Sequence, residues 1–162
     1  MFPDDVIKMA EDLLQQSREA GLRMVTAESC TGGLVAALLT EIPGSSDVFE
    51  RGFVTYSNTA KMQMLGVDEK LIANHGAVSK DVAEAMAKGA LLHADAQLSV
   101  AVTGIAGPGG GTARKPVGLV HIAAARKGGT LVHKECRFGQ KPRGQIRFES
   151  IQSALELLFC VI

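Results

Sequence analysis

Short apolar runs of strand type alternate with amphipathic helical runs along this chain, and that alternation confines it to an α/β fold. Pro3-Asp4-Asp5 opens a helix with apolar Val6, Met9, Leu13 and Leu14, and Gly21 closes it, with acid at the start and glycine at the end. Arg23 to Ala27 predicts a strand, 32–40 a helix, Ile42 to Ser46 a turn-rich loop, and Arg51 to Tyr56 a second strand. Ser57 caps a helix over 58–65 that stops at Gly66, a shorter helical turn covers 68–74, and Ser79 caps another helix with apolar Val82, Met86 and Ala90. Leu98 to Thr103 reads as a strand feeding a glycine-rich loop. Val117–Ala125 and Leu131–Phe138 pair as an antiparallel hairpin across Gly128-Gly129. Ile146, Ile151, Ala154, Leu155 and Leu158 place a last helix after Pro142. The expectation is a three-layer α/β/α domain over residues 1–162, with a mixed sheet of about five strands.

Charge narrows the partners. Lys plus Arg and Asp plus Glu both number 17, so no bulk field draws the chain to nucleic acid or to an anionic membrane. Apolar stretches are interrupted well before the roughly 20 residues a bilayer needs, and the basic-then-apolar order of a signal peptide is absent from the first residues. We therefore expect a cytoplasmic protein. Cys30, Cys136 and Cys160 are odd in number and widely spaced, as reduced thiols are. Domains of this size and type commonly form symmetric oligomers, and a homo-oligomer is expected.

The segment Ala27-Glu28-Ser29-Cys30-Thr31-Gly32-Gly33 lies between the first strand and the second helix. A tight strand-to-helix turn exposes a nucleophile beside unpaired backbone N–H groups that favour developing negative charge. Ser29 and Cys30 both qualify, and only one of two adjacent residues faces a pocket. Glu28 either orients a polar partner or caps the following helix through its charge. For a base, His75, His93, His121 and His133 sit where structural roles suffice. Lys61 with Tyr56 five residues earlier is the stronger candidate: a lysine becomes a general base once burial or a neighbouring cation lowers its pKa, and a tyrosine hydroxyl relays or holds the proton. The loop from Gly104 to Thr112 lacks the Lys-Ser/Thr of a P-loop and the G-x-G-x-x-G of a dinucleotide site, but its glycines, Gly107 among them, let backbone amides approach a ligand. Arg143 and Arg147, four residues apart, share one helix face and suit a phosphate or carboxylate clamp.

Five ordered segments together resemble the CinA carboxy-terminal domain family across most of the chain. They are Thr26 to Gly33 (TAESCTGG), Phe49 to Asn58 (FERGFVTYSN) with Lys61 and Gly66-Val67, His75 to Ser79 (HGAVS), Thr103 to Pro108 (TGIAGP), and Lys115 to Gly118 (KPVG). The resemblance implies an anticodon-binding-domain-like α/β/α fold and a metal-independent, cofactor-free amidohydrolase. Such an enzyme converts nicotinamide mononucleotide to nicotinic acid mononucleotide and ammonia in pyridine-nucleotide recycling. Carried over residue by residue, it implies Ser29 as nucleophile, Lys61 as base, Tyr56 as their partner, and Thr103 and Arg143 completing the site. The family's Gly-Asp-Arg before the last helix is Lys141-Pro142-Arg143 here. On this reading Arg143, helped by Arg147 and the Gly107–Gly111 loop, holds the nucleotide phosphate, while Cys30, Thr31, Gly32 and Gly33 surround the amide. A non-catalytic module that binds a nucleotide is the alternative.

Overall fold

The computed structural model describes residues 1–162. Its elements follow the periodicities closely: α1 Asp4–Glu19, β1 Met24–Glu28, α2 Leu34–Glu41, β2 Phe49–Val54, α3 Asn58–Leu65, α4 Glu69–His75, α5 Lys80–Leu92, β3 Leu98–Gly104, β4 Leu119–Arg126, β5 Leu131–Arg137 and α6 Arg143–Phe159. Several boundaries shift by one or two residues, β4 for instance starting at Leu119 instead of Val117, and two of the shifts have a clear local cause. The second helix starts at Leu34 rather than 32 because Gly32 and Gly33 both take positive φ, 58° and 97°, and prolong the turn. The second strand runs Phe49–Val54, two residues earlier than expected at each end, because the turn before it is tightened into a single 3-10 turn, Ser45–Asp47.

The sheet is mixed and has five strands in the order β2-β1-β3-β4-β5. β1 pairs parallel with both β2 and β3, whereas β3–β4 and β4–β5 are antiparallel. Each face is covered by its own apolar layer. Val6, Leu13 and Leu14 of α1, Val35, Leu38 and Leu39 of α2, and Ile146, Ile151 and Leu155 of α6 pack on Met24, Val100, Val102 and Ile122. Leu65 of α3, Ile72 of α4, and Val82, Met86 and Ala90 of α5 pack on Val25, Ala27, Ala101 and Ala123. Alternation along β1 and β3 therefore sends successive residues to opposite layers.

This topology locates the site. The chain leaves β1 for α2 on one face, and it leaves the neighbouring β2 for α3 on the other. The crevice outside the carboxyl ends of strands where connections diverge is where open α/β sheets bind ligands. Ser29 stands at that crevice, its N–H donating to Val102 O at 2.9 Å, while Thr55 N–H donates to Glu28 O at 2.8 Å. No helix of the molecule is long and apolar enough to cross a membrane.

Candidate active site

Lys61 arrives from the first turn of α3. Ser57 caps that helix by accepting the Ala60 N–H at 3.0 Å, and Gly66 ends it in the left-handed region at φ 67°. The two buried residues of α3 are Lys61 and Leu65, four apart, so one helix face carries both inward. Leu65 seats that face against α5, where it meets Gly89. The Lys61 side chain is only 1% exposed. Its Nζ lies 3.0 Å from Ser29 Oγ and 2.7 Å from Thr55 O, so both hydrogen-bond partners are neutral oxygens. Burial without a compensating carboxylate pushes the amine pKa down from its ordinary 10.5. Of the two causes considered for such a shift, burial and a neighbouring cation, only burial acts here: desolvation is the cause. In its neutral form Lys61 can accept a proton from Ser29 through its lone pair while keeping an N–H on Thr55 O.

Cys30 points the other way, into the α1–α2–α6 layer. Burial raises its thiol to about 12, and Lys61 and Arg147 offset this only in part. A thiol in that state is packing material and a poor nucleophile. Ser29, at 9% exposure, is the side chain of the turn that meets Lys61.

Glu28 takes the second of the two roles left open for it. Its buried carboxylate accepts the N–H groups of Gly33 at 3.1 Å, Val35 at 3.0 Å and Ala36 at 2.9 Å, closing the N-terminus of α2 from inside the fold. The Gly32 amide is likewise committed, to Ser29 O at 3.0 Å. Of the amides of Cys30, Thr31, Gly32 and Gly33, two therefore donate to no backbone or side-chain oxygen, those of Cys30 and Thr31.

The remaining candidates are distributed around this centre. Tyr56 is 62% exposed and its hydroxyl accepts from Arg143 Nη2 at 2.8 Å, instead of standing between Ser29 and Lys61. Arg143 also donates to Gly107 O at 2.8 Å, so one guanidinium ties the first residue of α6 to the glycine-rich loop and to the segment after β2. The Lys141-Pro142 departure does not turn Arg143 away: Lys141 pairs outward with Glu149 at 2.8 Å. Arg147 does not join Arg143. Its Nε donates to Cys30 O at 3.1 Å and its Nη2 to Thr31 O at 2.9 Å. Thr103 is buried at the end of β3, and its hydroxyl donates to Ala77 O at 2.8 Å, holding the loop before α5. The histidines bond elsewhere, His121 to His133 at 2.9 Å and His75 to Asp81 at 3.3 Å.

Two surface clefts lie outside this centre, one of about 330 Å³ beside the β4–β5 turn and one of about 380 Å³ under the glycine-rich loop. The second begins at Pro108, next in the chain to Gly107, whose carbonyl accepts from Arg143, but none of Ser29, Tyr56, Lys61 and Arg143 lines it. The first is lined by apolar Leu91, Leu92 and Leu131 together with Lys88, Arg126 and Lys127, and it holds no nucleophile beside a buried base.

Fold and centre together define an α/β domain with a serine–lysine pair at the strand-end crevice. Residues 6–162 match the family model of the CinA C-terminal domain, and the chain belongs to that family. It is 46% identical over 160 residues to the nicotinamide-nucleotide amidohydrolase PncC of Escherichia coli K12, covering 98% of this chain and 96% of that protein. A putative competence-damage inducible protein of Moorella thermoacetica is 46% identical over 156 residues, which are 96% of this chain and 37% of that longer one. Among solved structures, the competence/damage inducible protein CihA of Agrobacterium tumefaciens superposes with a TM-score of 0.97 at 51% identity, covering 99% of this chain and 97% of that one.

Proposed function

We propose that the chain is a nicotinamide-nucleotide amidohydrolase that deamidates nicotinamide mononucleotide to nicotinic acid mononucleotide and ammonia, a step of pyridine-nucleotide recycling. The observation that carries this is the buried, carboxylate-free Lys61 amine 3.0 Å from Ser29 Oγ, together with the near full-length likeness to PncC. Ser29 Oγ attacks the carboxamide carbon as its proton passes directly to Lys61, and the Cys30 and Thr31 amides receive the oxyanion. Lys61 returns the proton to the departing nitrogen, so ammonia leaves and an acyl ester on Ser29 remains. Water, deprotonated by Lys61, then attacks the ester; the carbon–oxygen bond to Ser29 breaks and the serine regains its proton. Arg143, paired with no carboxylate, is the cation available to the nucleotide phosphate at the mouth.

The test is ammonia release from nicotinamide mononucleotide by the purified protein, with and without chelator, for the native chain and for Ser29→Ala and Lys61→Met. Release that persists in chelator and disappears in both variants is expected. Binding of the nucleotide without release would instead favour a regulatory module, and activity surviving in Ser29→Ala would remove the serine mechanism.

A further inference from the structure

Arg147 grips the reactive turn from behind. It sits one helical turn into α6, beside Ile146, Ser150 and Ile151, which are fully buried and anchor that helix to the sheet. From this base the guanidinium spans two consecutive carbonyls, Cys30 O at 3.1 Å through Nε and Thr31 O at 2.9 Å through Nη2. In a trans peptide the carbonyl and the following N–H point in opposite directions. Fixing Cys30 O on the α6 side therefore aims the Thr31 N–H away from α6. Fixing Thr31 O similarly sets the Gly32 N–H, which closes on Ser29 O at 3.0 Å. Thr31 O has a second donor, Leu34 N at 3.2 Å, whereas Arg147 supplies the only hydrogen bond to Cys30 O. A cation on that carbonyl also polarises its peptide group and strengthens the Thr31 N–H as a donor.

We propose that Arg147 is a positioning residue for the oxyanion-binding Thr31 amide, acting through the Cys30 carbonyl, with its bond to the Thr31 carbonyl holding the Gly32 closure of the turn, and that it does not serve as a phosphate ligand beside Arg143. The proposal rests on the serine-amidase reading above. It accounts for the divergence of two arginines that share a helix face: Arg143 reaches outward to Tyr56 and Gly107, and Arg147 reaches inward to the turn. Donors preset toward the place where charge develops act chiefly on the transition state, so loss of Arg147 lowers kcat. Loss of a phosphate ligand raises KM.

The experiment compares Arg147→Ala, Arg147→Lys and Arg143→Ala in ammonia release from nicotinamide mononucleotide, with thermal unfolding measured on each. Arg147→Ala should lower kcat between about tenfold and about a thousandfold, leave KM within about twofold, and recover kcat when guanidinium is added. Arg147→Lys keeps the charge but loses the fork, and it should lose nearly as much kcat as the alanine variant. Arg143→Ala should act mainly on KM. A KM rise at unchanged kcat in the Arg147 variants, or retention of activity by the lysine variant alone, overturns the proposal. A second readout, the rate at which a fluorophosphonate labels Ser29, applies without the nucleotide. There Ser29 Oγ bonds to phosphorus, fluoride leaves, and the proton passes to Lys61. Equal labelling of native and Arg147→Ala protein overturns the positioning role while leaving the amidase reading intact. A native protein inert to both nucleotide and reagent takes down that reading and the proposal with it.

Discussion

The Leu65 carbonyl of α3 lies where a side chain on Gly89 of α5 would stand: a Cβ at 89 would come within 2.0 Å of that oxygen. Only glycine admits this approach, and the approach seats the helix face that carries Lys61 toward Ser29. Gly89→Ala must push α3 off α5, since the obstruction is backbone and cannot rotate away. Overpacking of this kind costs about 3 kcal/mol or more. A lowering of Tm by roughly 6–12 °C in thermal unfolding is expected for a chain of this length. Activity in the folded fraction should fall as well, because Lys61 moves with its helix. Native activity and native Tm in this variant would remove the contact from the mechanism.

Lys61→Met should separate function from stability. Activity falls by about 10²–10⁴-fold with loss of the base, yet the folded state gains, because a buried amine without a carboxylate opposes folding. The sign follows from its lowered pKa. Between the depressed folded value and the ordinary 10.5, the unfolded chain binds more protons than the native one, so native stability rises with pH across that interval. Each pKa unit of depression is worth about 1.4 kcal/mol. The methionine variant should be more stable than the native protein at neutral pH, with the difference shrinking as pH approaches 10.5. Denaturant titrations at several pH values measure this. The native rate constant kcat/KM should rise with pH on a limb whose midpoint lies below 10.5 and depends on Lys61.

The elements of the fold were readable because the local signals agreed: Ser57 and Ser79 cap the helices they were expected to cap, and the Gly128-Gly129 turn joins an antiparallel pair. Ser29 and Lys61 were readable as residue types at meaningful places. What the one-dimensional pattern lacked was direction. Arg143 and Arg147 share a helix face by spacing, but their targets depend on which loop comes within reach of each, a tertiary matter. Tyr56, five residues from Lys61, suggested a relay, yet α3 begins at Asn58 and turns Lys61 inward while Tyr56 stays at the surface. The Thr55 carbonyl carried no signal at all, since any residue has one. Glu28 carried a faint one, an acid shortly before a helix start, but its reach to three amides requires the double-glycine turn to fold back over it.

Cys30 should prove chemically silent. Its thiol is held near 12 by burial, whereas Cys160 is exposed at the end of α6. Treating the folded protein with iodoacetamide at pH 8 and mapping the adducts by mass spectrometry should find Cys160 modified and Cys30 untouched. Cys30→Ala should keep activity within about threefold and cost about 1 kcal/mol for the small cavity left in the α1–α2–α6 layer. Loss of activity on alkylation, tracking Cys30, would return the thiol to the mechanism.

Glu28→Gln tests the internal cap. The amide supplies one acceptor oxygen in place of two and no charge, so at least one of the three N–H groups at the start of α2 is left without its partner. A loss of roughly 2–4 kcal/mol is expected in denaturant unfolding. Activity should fall too, because the Gly33 end of the turn is no longer held. A variant as stable as the native chain would mean that the α2 N-terminus finds other acceptors at no cost.

Tyr56→Phe decides between relay and gatepost. If the phenol carried the proton between Ser29 and Lys61, its removal would cost about 10²-fold or more in kcat. The geometry gives that transfer a direct path of 3.0 Å and gives the phenol a different partner, Arg143 Nη2 at 2.8 Å. Removing the hydroxyl frees one corner of a guanidinium that is otherwise held only by Gly107 O. The expected result is therefore a kcat within about threefold of native and a KM for nicotinamide mononucleotide raised about three- to tenfold, since losing one solvent-exposed hydrogen bond is worth about 1 kcal/mol. Steady-state ammonia release across a substrate range reads both constants. A collapse of kcat at unchanged KM would place the proton path through Tyr56 after all.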